Sequence, residues 1–276
     1  MRAPAHLAIL RPHNMLASAL AVVAGSIIAH GAVGSLLVVT AVLAALVTGT
    51  GNILNDCFDL EVDRINKPGR PLPSGRITPR AAVGWYMVIS VAVTTVAALL
   101  IPRDVGALII AWQIALAIYA RWCKRWLIVG NVMVAAISSS AFLAGALVAQ
   151  RPEAAIIPGL IAFVFVMCRE IVKGAEDVEG DRQGNVRTLA VVMGAPRAGT
   201  VASILMLLLA ALFPVPALVG HYRPAYLLVM ESLVAPVLLM SALRVSDSRL
   251  RRDFTLTSRL LKLGMFLGIA GIALGA

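Results

Sequence analysis

Charge is scarce in this chain. Only 14% of its 276 residues are Asp, Glu, Lys or Arg, against 60% hydrophobic residues. A soluble domain carries about 25% charged residues, so the deficit excludes an ordinary water-facing surface over most of the chain. Cysteine is also rare: Cys57, Cys123 and Cys168 have no metal-ligand spacing, and three residues in cytoplasm-side segments do not make a disulfide framework. No cleavable leader is evident either. The first hydrophobic run, Met15 to Ala29, follows Arg2, His6 and Arg11 without a small-x-small cleavage site, and reads as a first span. Acid is outnumbered, with 14 Asp and Glu against 24 Lys and Arg, a net charge of +10. In a chain this apolar, the excess points to membrane topology and anionic lipids or substrates, and not to nucleic acid.

What is present is a series of long apolar runs, several above the ~18 residues needed to cross a bilayer. The expectation is an all-α polytopic membrane bundle, a single domain over 1–276, with nine transmembrane helices. They fall near 13–30, 34–55, 80–100, 105–120, 127–149, 154–170, 198–219, 224–243 and 256–275. The basic residues test this division. Of 24 Lys and Arg, 21 fall in the N-terminal segment and in alternate connections, and only Arg103, Arg151 and Arg223 fall on the other side. That asymmetry places the N-terminus and the charged connections in the cytoplasm. Pro158, Pro214, Pro216 and Pro236 are expected to kink spans. No obligatory protein partner is evident.

Eleven of the fourteen acidic residues share the basic side, in two main clusters. The first reads Asn55-Asp56-Cys57-Phe58-Asp59-Leu60-Glu61-Val62-Asp63. On a continued helix, Asn55, Asp59 and Asp63 stand at i, i+4 and i+8, with Asp56 on the same broad face. Stacked carboxylates repel unless a cation sits among them, and hard cations such as Mg²⁺ take oxygen ligands and phosphate oxygens. The face therefore suits a metal–diphosphate clamp. Prolines and glycines then stop the helix, and Lys67 and Arg70 can reach the same anion. The second cluster, Arg169 to Asp181, places Asp177 and Asp181 one turn apart, with Lys173 one turn earlier, for a second metal and a phosphate. The site loops run about 55–80 and 169–197. Two such clusters four spans apart imply an internal pseudo-repeat.

Softer candidates flank them. Arg11 and Asn14, where the first span enters, suit an anionic acceptor. Tyr119 and Lys124 close the fourth span near the same face. Gly49, Thr50 and Gly51 permit close backbone approach. Glu231, mid-span but toward the other side, reads as a structural partner. Cations and metal around a lipid diphosphate stabilise a departing pyrophosphate, and apolar walls shield an allylic cation.

The pattern Asn-Asp-x-x-Asp-x-x-x-Asp, then Arg-Pro-Leu-Pro-Ser-Gly, then Asp-x-x-x-Asp, resembles the UbiA superfamily of intramembrane prenyltransferases over nearly the whole chain. The resemblance implies Mg²⁺-dependent transfer from a prenyl diphosphate, with catalytic Asp59, Asp63, Asp177 and Asp181. It places the metals among these and Asn55, to which the shared helix face adds Asp56, and implies diphosphate contacts from Lys124 and Lys173. Arg11-Pro12-x-Asn14, Glu61, Ile65-Asn66, Pro68, Arg70-Pro71 and the run Arg169 to Asp181 are most similar to the archaeal digeranylgeranylglyceryl phosphate synthases. This implies geranylgeranyl transfer to geranylgeranylglyceryl phosphate, the second ether of archaeal lipids. Gly174, where Asp is frequent in that subgroup, and Ala190, where Pro is, depart from the pattern. A 4-hydroxybenzoate-type aromatic acceptor is the alternative. A transporter would place its carboxylates near the midplane, and a CDP-alcohol phosphotransferase motif is absent.

Overall fold

The computed structural model describes residues 4–276, so Arg2 of the topology argument lies outside the described residues. Among these the regular elements are helices. In chain order they are α1 (Ala5–Leu10), α2 (Pro12–Ile28), α3 (Ser35–Phe58), α4 (Leu60–Asn66), α5 (Pro79–Leu100) and α6 (Arg103–Arg121). After them come α7 (Val129–Ser139), α8 (Ala141–Val148), α9 (Ile156–Glu176), α10 (Val178–Gln183) and α11 (Leu189–Met193). The last are α12 (Ala195–Leu212), α13 (Pro214–Leu218), α14 (Pro224–Val229), α15 (Ala235–Val245) and α16 (Arg251–Leu274).

Among the described residues eight helical stretches are long and apolar enough to cross a membrane, one fewer than the nine expected from the sequence. The difference is α2, the counterpart of 13–30. Its 17 residues rise roughly 26 Å, short of a ~30 Å hydrocarbon core. Its ends are set locally. Arg11 takes a left-handed conformation (φ 53°) ahead of Pro12, and His30 (φ 54°) follows the last turn.

Helix packing at the centre depends on small residues. Where α2 meets α8, a Cβ added to Gly145 would lie 1.8 Å from the Val22 carbonyl oxygen, and one on Gly25 would lie 2.1 Å from that of Phe142. Backbones approach this closely only without side chains between them, the usual device of helices with no hydrophobic drive to associate. Helix starts are fixed by ordinary caps: Thr78 and Thr188 side chains accept from Ala81 N–H at 3.2 Å and Val191 N–H at 3.3 Å.

Proline explains some irregularities and not others. Pro214 opens α13, and Pro236 follows the π-helical turn Met230–Val234, as expected of kinked spans. Pro158 instead sits in the first turn of α9 and leaves it unbroken, because a helix start has no N–H bond to lose there. The break between α7 and α8 has no proline. Ser140 marks it, and its hydroxyl takes the Trp112 indole N–H at 2.7 Å. Glu231 is a second correction. It lies exposed on the π turn and makes no ion pair among the described residues, so it is no structural partner there.

Candidate active site

The two acidic motifs are built alike. The sequence suggests a continued helix through Asn55, Asp59 and Asp63, but α3 ends at Phe58 and α4 begins at Leu60. Asp59 is the joint between them, with φ −97° and ψ 8°. Asp177 occupies the same place between α9 and α10, with φ −101° and ψ 9°. Ladder bonds survive both joints. Asp59 N–H donates to Asn55 C=O at 2.9 Å and Asp63 N–H to Asp59 C=O at 2.7 Å. Asp177 N–H donates to Lys173 C=O and Asp181 N–H to Asp177 C=O, both at 3.0 Å. The chain bends while residues four apart keep a common side. The matched joints give the two halves a shared local structure that their sequences barely show.

Asn66, at the end of α4, brings the motifs together. Its Nδ2 donates to the Asp177 carbonyl at 2.8 Å, and its Oδ1 accepts from Gly180 N–H at 3.1 Å. Arg251 at the start of α16 donates to the Asn66 carbonyl at 3.0 Å.

Cations hold the carboxylates. Arg70 pairs with Asp63 at 2.5 Å and with Asp56 at 3.4 Å, and Arg11 also pairs with Asp56. Lys124, on the turn after α6, pairs with Asp59 at 2.5 Å. Lys67 reaches across to Glu176 at 2.6 Å and Asp177 at 2.8 Å. Lys173 and Arg169 turn instead to buried Glu170, at 3.2 and 2.9 Å. Asn14 and Arg11 both approach Asn52 Oδ1 at 3.5 Å, and Asn52 Nδ2 donates to the Leu10 carbonyl at 2.9 Å. Of the residues singled out in the sequence, Asp56 is thus buried against guanidinium groups, and Tyr119 lines the adjoining cavity. Asn52, Asn66, Glu170 and Glu176 went unassigned. Asn52 does carry a signal, a polar residue inside an apolar run one turn before Asp56.

Among the described residues no group of three or more His, Cys, Asp or Glu is arranged to hold a metal ion. The donors nonetheless fit a hard divalent cation. Among the described residues, buried Asn55 Oδ1 has no hydrogen-bond partner, and buried Asp177 Oδ1 has only the ion contact to Lys67. Burial, then the Asp177 and Asp59 carboxylates, push Asp181 up to about 7, with Lys173 pulling the other way. Burial likewise raises Asp63, helped by Asp56 and Asp59 and opposed by Arg70. Crowded oxygens that resist ionising lack positive charge, which a cation such as Mg²⁺ would supply.

A cavity of about 630 Å³ adjoins the motifs. At one end stand Arg11, Lys67, Arg70, Arg169, Lys173, Arg259 and Lys262, with Glu170 and Glu176 as the lining carboxylates. Further along, the walls become apolar: Ala21, Val47, Leu116, Phe142, Phe165, Met230, Val234 and Ile272. A cationic head region leading to an apolar tube suits a long hydrophobic chain that ends in phosphate.

Comparison with known proteins agrees. The chain is 39% identical over 265 residues to the digeranylgeranylglyceryl phosphate synthase of Methanopyrus kandleri, covering 96% of each. A solved structure of a digeranylgeranylglyceryl phosphate synthase in membranes superposes with a TM-score of 0.73 at 24% identity, over 98% of this chain and 97% of that one. A UbiA homologue from Archaeoglobus fulgidus, bound to DMAPP and Mg²⁺, superposes with a TM-score of 0.65 at 20% identity, over 96% and 99%. Residues 17–269 match the UbiA prenyltransferase family, and the chain belongs to it.

Proposed function

We propose that this protein transfers the geranylgeranyl group of geranylgeranyl diphosphate to the free glycerol hydroxyl of geranylgeranylglyceryl phosphate. The C1–oxygen bond of the diphosphate breaks, a carbon–oxygen ether bond forms, and pyrophosphate and the hydroxyl proton leave. The observation that carries this reading is one cavity whose lining cations Lys67 and Arg70 are bound to aspartates of the two acidic motifs, with apolar walls behind. The names of the archaeal relatives support the acceptor, and the DMAPP and Mg²⁺ bound by the Archaeoglobus homologue support the donor and the metal.

Asn55, Asp59, Asp63, Asp177 and Asp181 are the residues that would hold Mg²⁺, and the ion would neutralise charge on the departing pyrophosphate. Lys67, Arg70, Lys124 and Lys173 would then bind and orient the diphosphate, exchanging their present carboxylate partners for phosphate oxygens. The apolar walls exclude water from the allylic cation and hold the prenyl chain, at up to ~0.8 kcal/mol per buried CH₂ relative to water. The lopsided distribution of Lys and Arg supports a site opening to the cytoplasm from a multi-pass membrane protein.

Two measurements test this. Asp59→Ala and Asp181→Ala should each lose roughly 10²-fold or more in transfer, as for loss of a group that stabilises transition-state charge; full turnover in both would remove the clamp. In competition, geranylgeranylglyceryl phosphate should be prenylated in preference to 4-hydroxybenzoate. The reverse preference would assign an aromatic acceptor.

A further inference from the structure

The cations lining the cavity divide into two sets. Arg11, Lys67 and Arg70 are each bound to aspartates of the motifs. Lys262 of α16 is not: among the described residues it makes no ion pair, and its nearest polar partner is His13 Nε2 of α2, at 3.0 Å. Arg169 of α9 lines the same cavity. One of its NH groups binds Glu170, but its Nε is buried with no partner among the described residues. Three helices thus converge on the cavity: Lys262 and Arg169 offer N–H donors, His13 Nε2 accepts from Lys262, and the lining carboxylates Glu170 and Glu176 are already bound, Glu170 to Arg169 and Lys173 and Glu176 to Lys67. Lys262 is half-buried with no ion pair of its own among the described residues, so an anion entering the cavity meets an ammonium free to pair with it.

We propose that Lys262, His13 and Arg169 form a second anion subsite, separate from the diphosphate clamp, that takes the phosphate monoester of the acceptor lipid. The inference rests on the glycerol-phosphate acceptor proposed above. Helix α16 shows how the rest of the molecule would lie. Its cavity-lining residues run from Arg259 and Lys262 through Met265 and Ile269 to Ile272, from cationic to apolar along one face. An amphiphile with an anionic head and an isoprenoid tail matches that gradient. With its head held at Lys262, its tail follows α16 while the donor diphosphate stays with the aspartates.

The test compares geranylgeranylglyceryl phosphate with the same lipid lacking phosphate, for the full-length protein and Lys262→Met. The expected result is a rise of about tenfold or more in KM for the phosphorylated acceptor, as for a lost charge-assisted bond. KM for geranylgeranyl diphosphate stays unchanged, the preference for the phosphorylated acceptor disappears, and Lys262→Arg restores it. An unchanged acceptor KM, or an equal rise for both acceptors, overturns the subsite. Nanodiscs of neutral and of anionic lipid separate the acceptor from bulk headgroups: a variant that alters only the response to anionic discs overturns it too. If the wild-type protein prenylates neither lipid, the functional reading fails. The subsite is then judged by calorimetric binding of the phosphorylated lipid, which Lys262→Met should weaken to the level of the phosphate-free lipid. Equal binding by both proteins overturns it.

Discussion

Asn66 and Asp177 are 111 residues apart in sequence and 2.8 Å apart in space, with the Asn66 amide donating to the Asp177 main-chain carbonyl. Its other amide atom holds Gly180 N–H. Asn66→Ala takes one of two donors from the Asp177 carbonyl, which keeps Asp181 N–H, and removes the side-chain acceptor of the Gly180 N–H, at about 1–3 kcal/mol for a buried group left unpaired. Gly180→Ala attacks the same contact from the other side, since its Cβ would lie 2.4 Å from Asn66 Nδ2. Both should lower the melting temperature in detergent and slow prenyl transfer. Wild-type values for both variants would show that the contact is incidental.

Asp181 couples the site to pH. Its folded-state pKa is raised to about 7 from an ordinary 3.8. Between those values the folded protein holds a proton that the unfolded chain has released, so stability of the metal-free protein falls as pH rises through this window. A divalent cation competes with that proton. The thermal shift on adding Mg²⁺ should therefore be larger at pH 8 than at pH 6. Asp181→Asn should abolish the difference, and a shift independent of pH in the wild-type protein would contradict the assignment.

Packing between α2 and α8 makes a separate prediction. Gly145→Ala forces a methyl into the Val22 carbonyl and should destabilise the protein by roughly 1–3 kcal/mol or more. Gly84→Ala is the control. Nothing lies within 4 Å of its added Cβ in α5, so it should be neutral or stabilising by up to about 1 kcal/mol. Thermal melts of the two variants distinguish crowding from a general intolerance of alanine.

The aspartates were legible because repulsion makes their spacing improbable without a cation. The spans were legible from apolar length alone, except α2, whose limits depend on left-handed turns at Arg11 and His30. Neither joint could be read. Asp59 and Asp177 carry no proline or glycine, and each bend retains its ladder bonds, so local sequence gives no breaker signal. Ser140 likewise breaks a span with no proline. Lys262 was visible only as a topology-setting charge, and Arg169 only as the start of the second motif, with no anion assigned to it. Their convergence with His13 is a property of helix packing, which periodicity along one chain segment does not report.

The twin joints have a mechanical consequence. α4 and α10 are hung from different long helices, each by one aspartate, and fastened to one another through Asn66, with Lys67 bridging to Glu176 and Asp177 beside it. Neither short helix can swing alone without breaking the Asn66 bonds and the Lys67 ion pairs. Motion at the membrane boundary is therefore shared by the pair as one plate, and the four site aspartates at or beyond the joints travel in step.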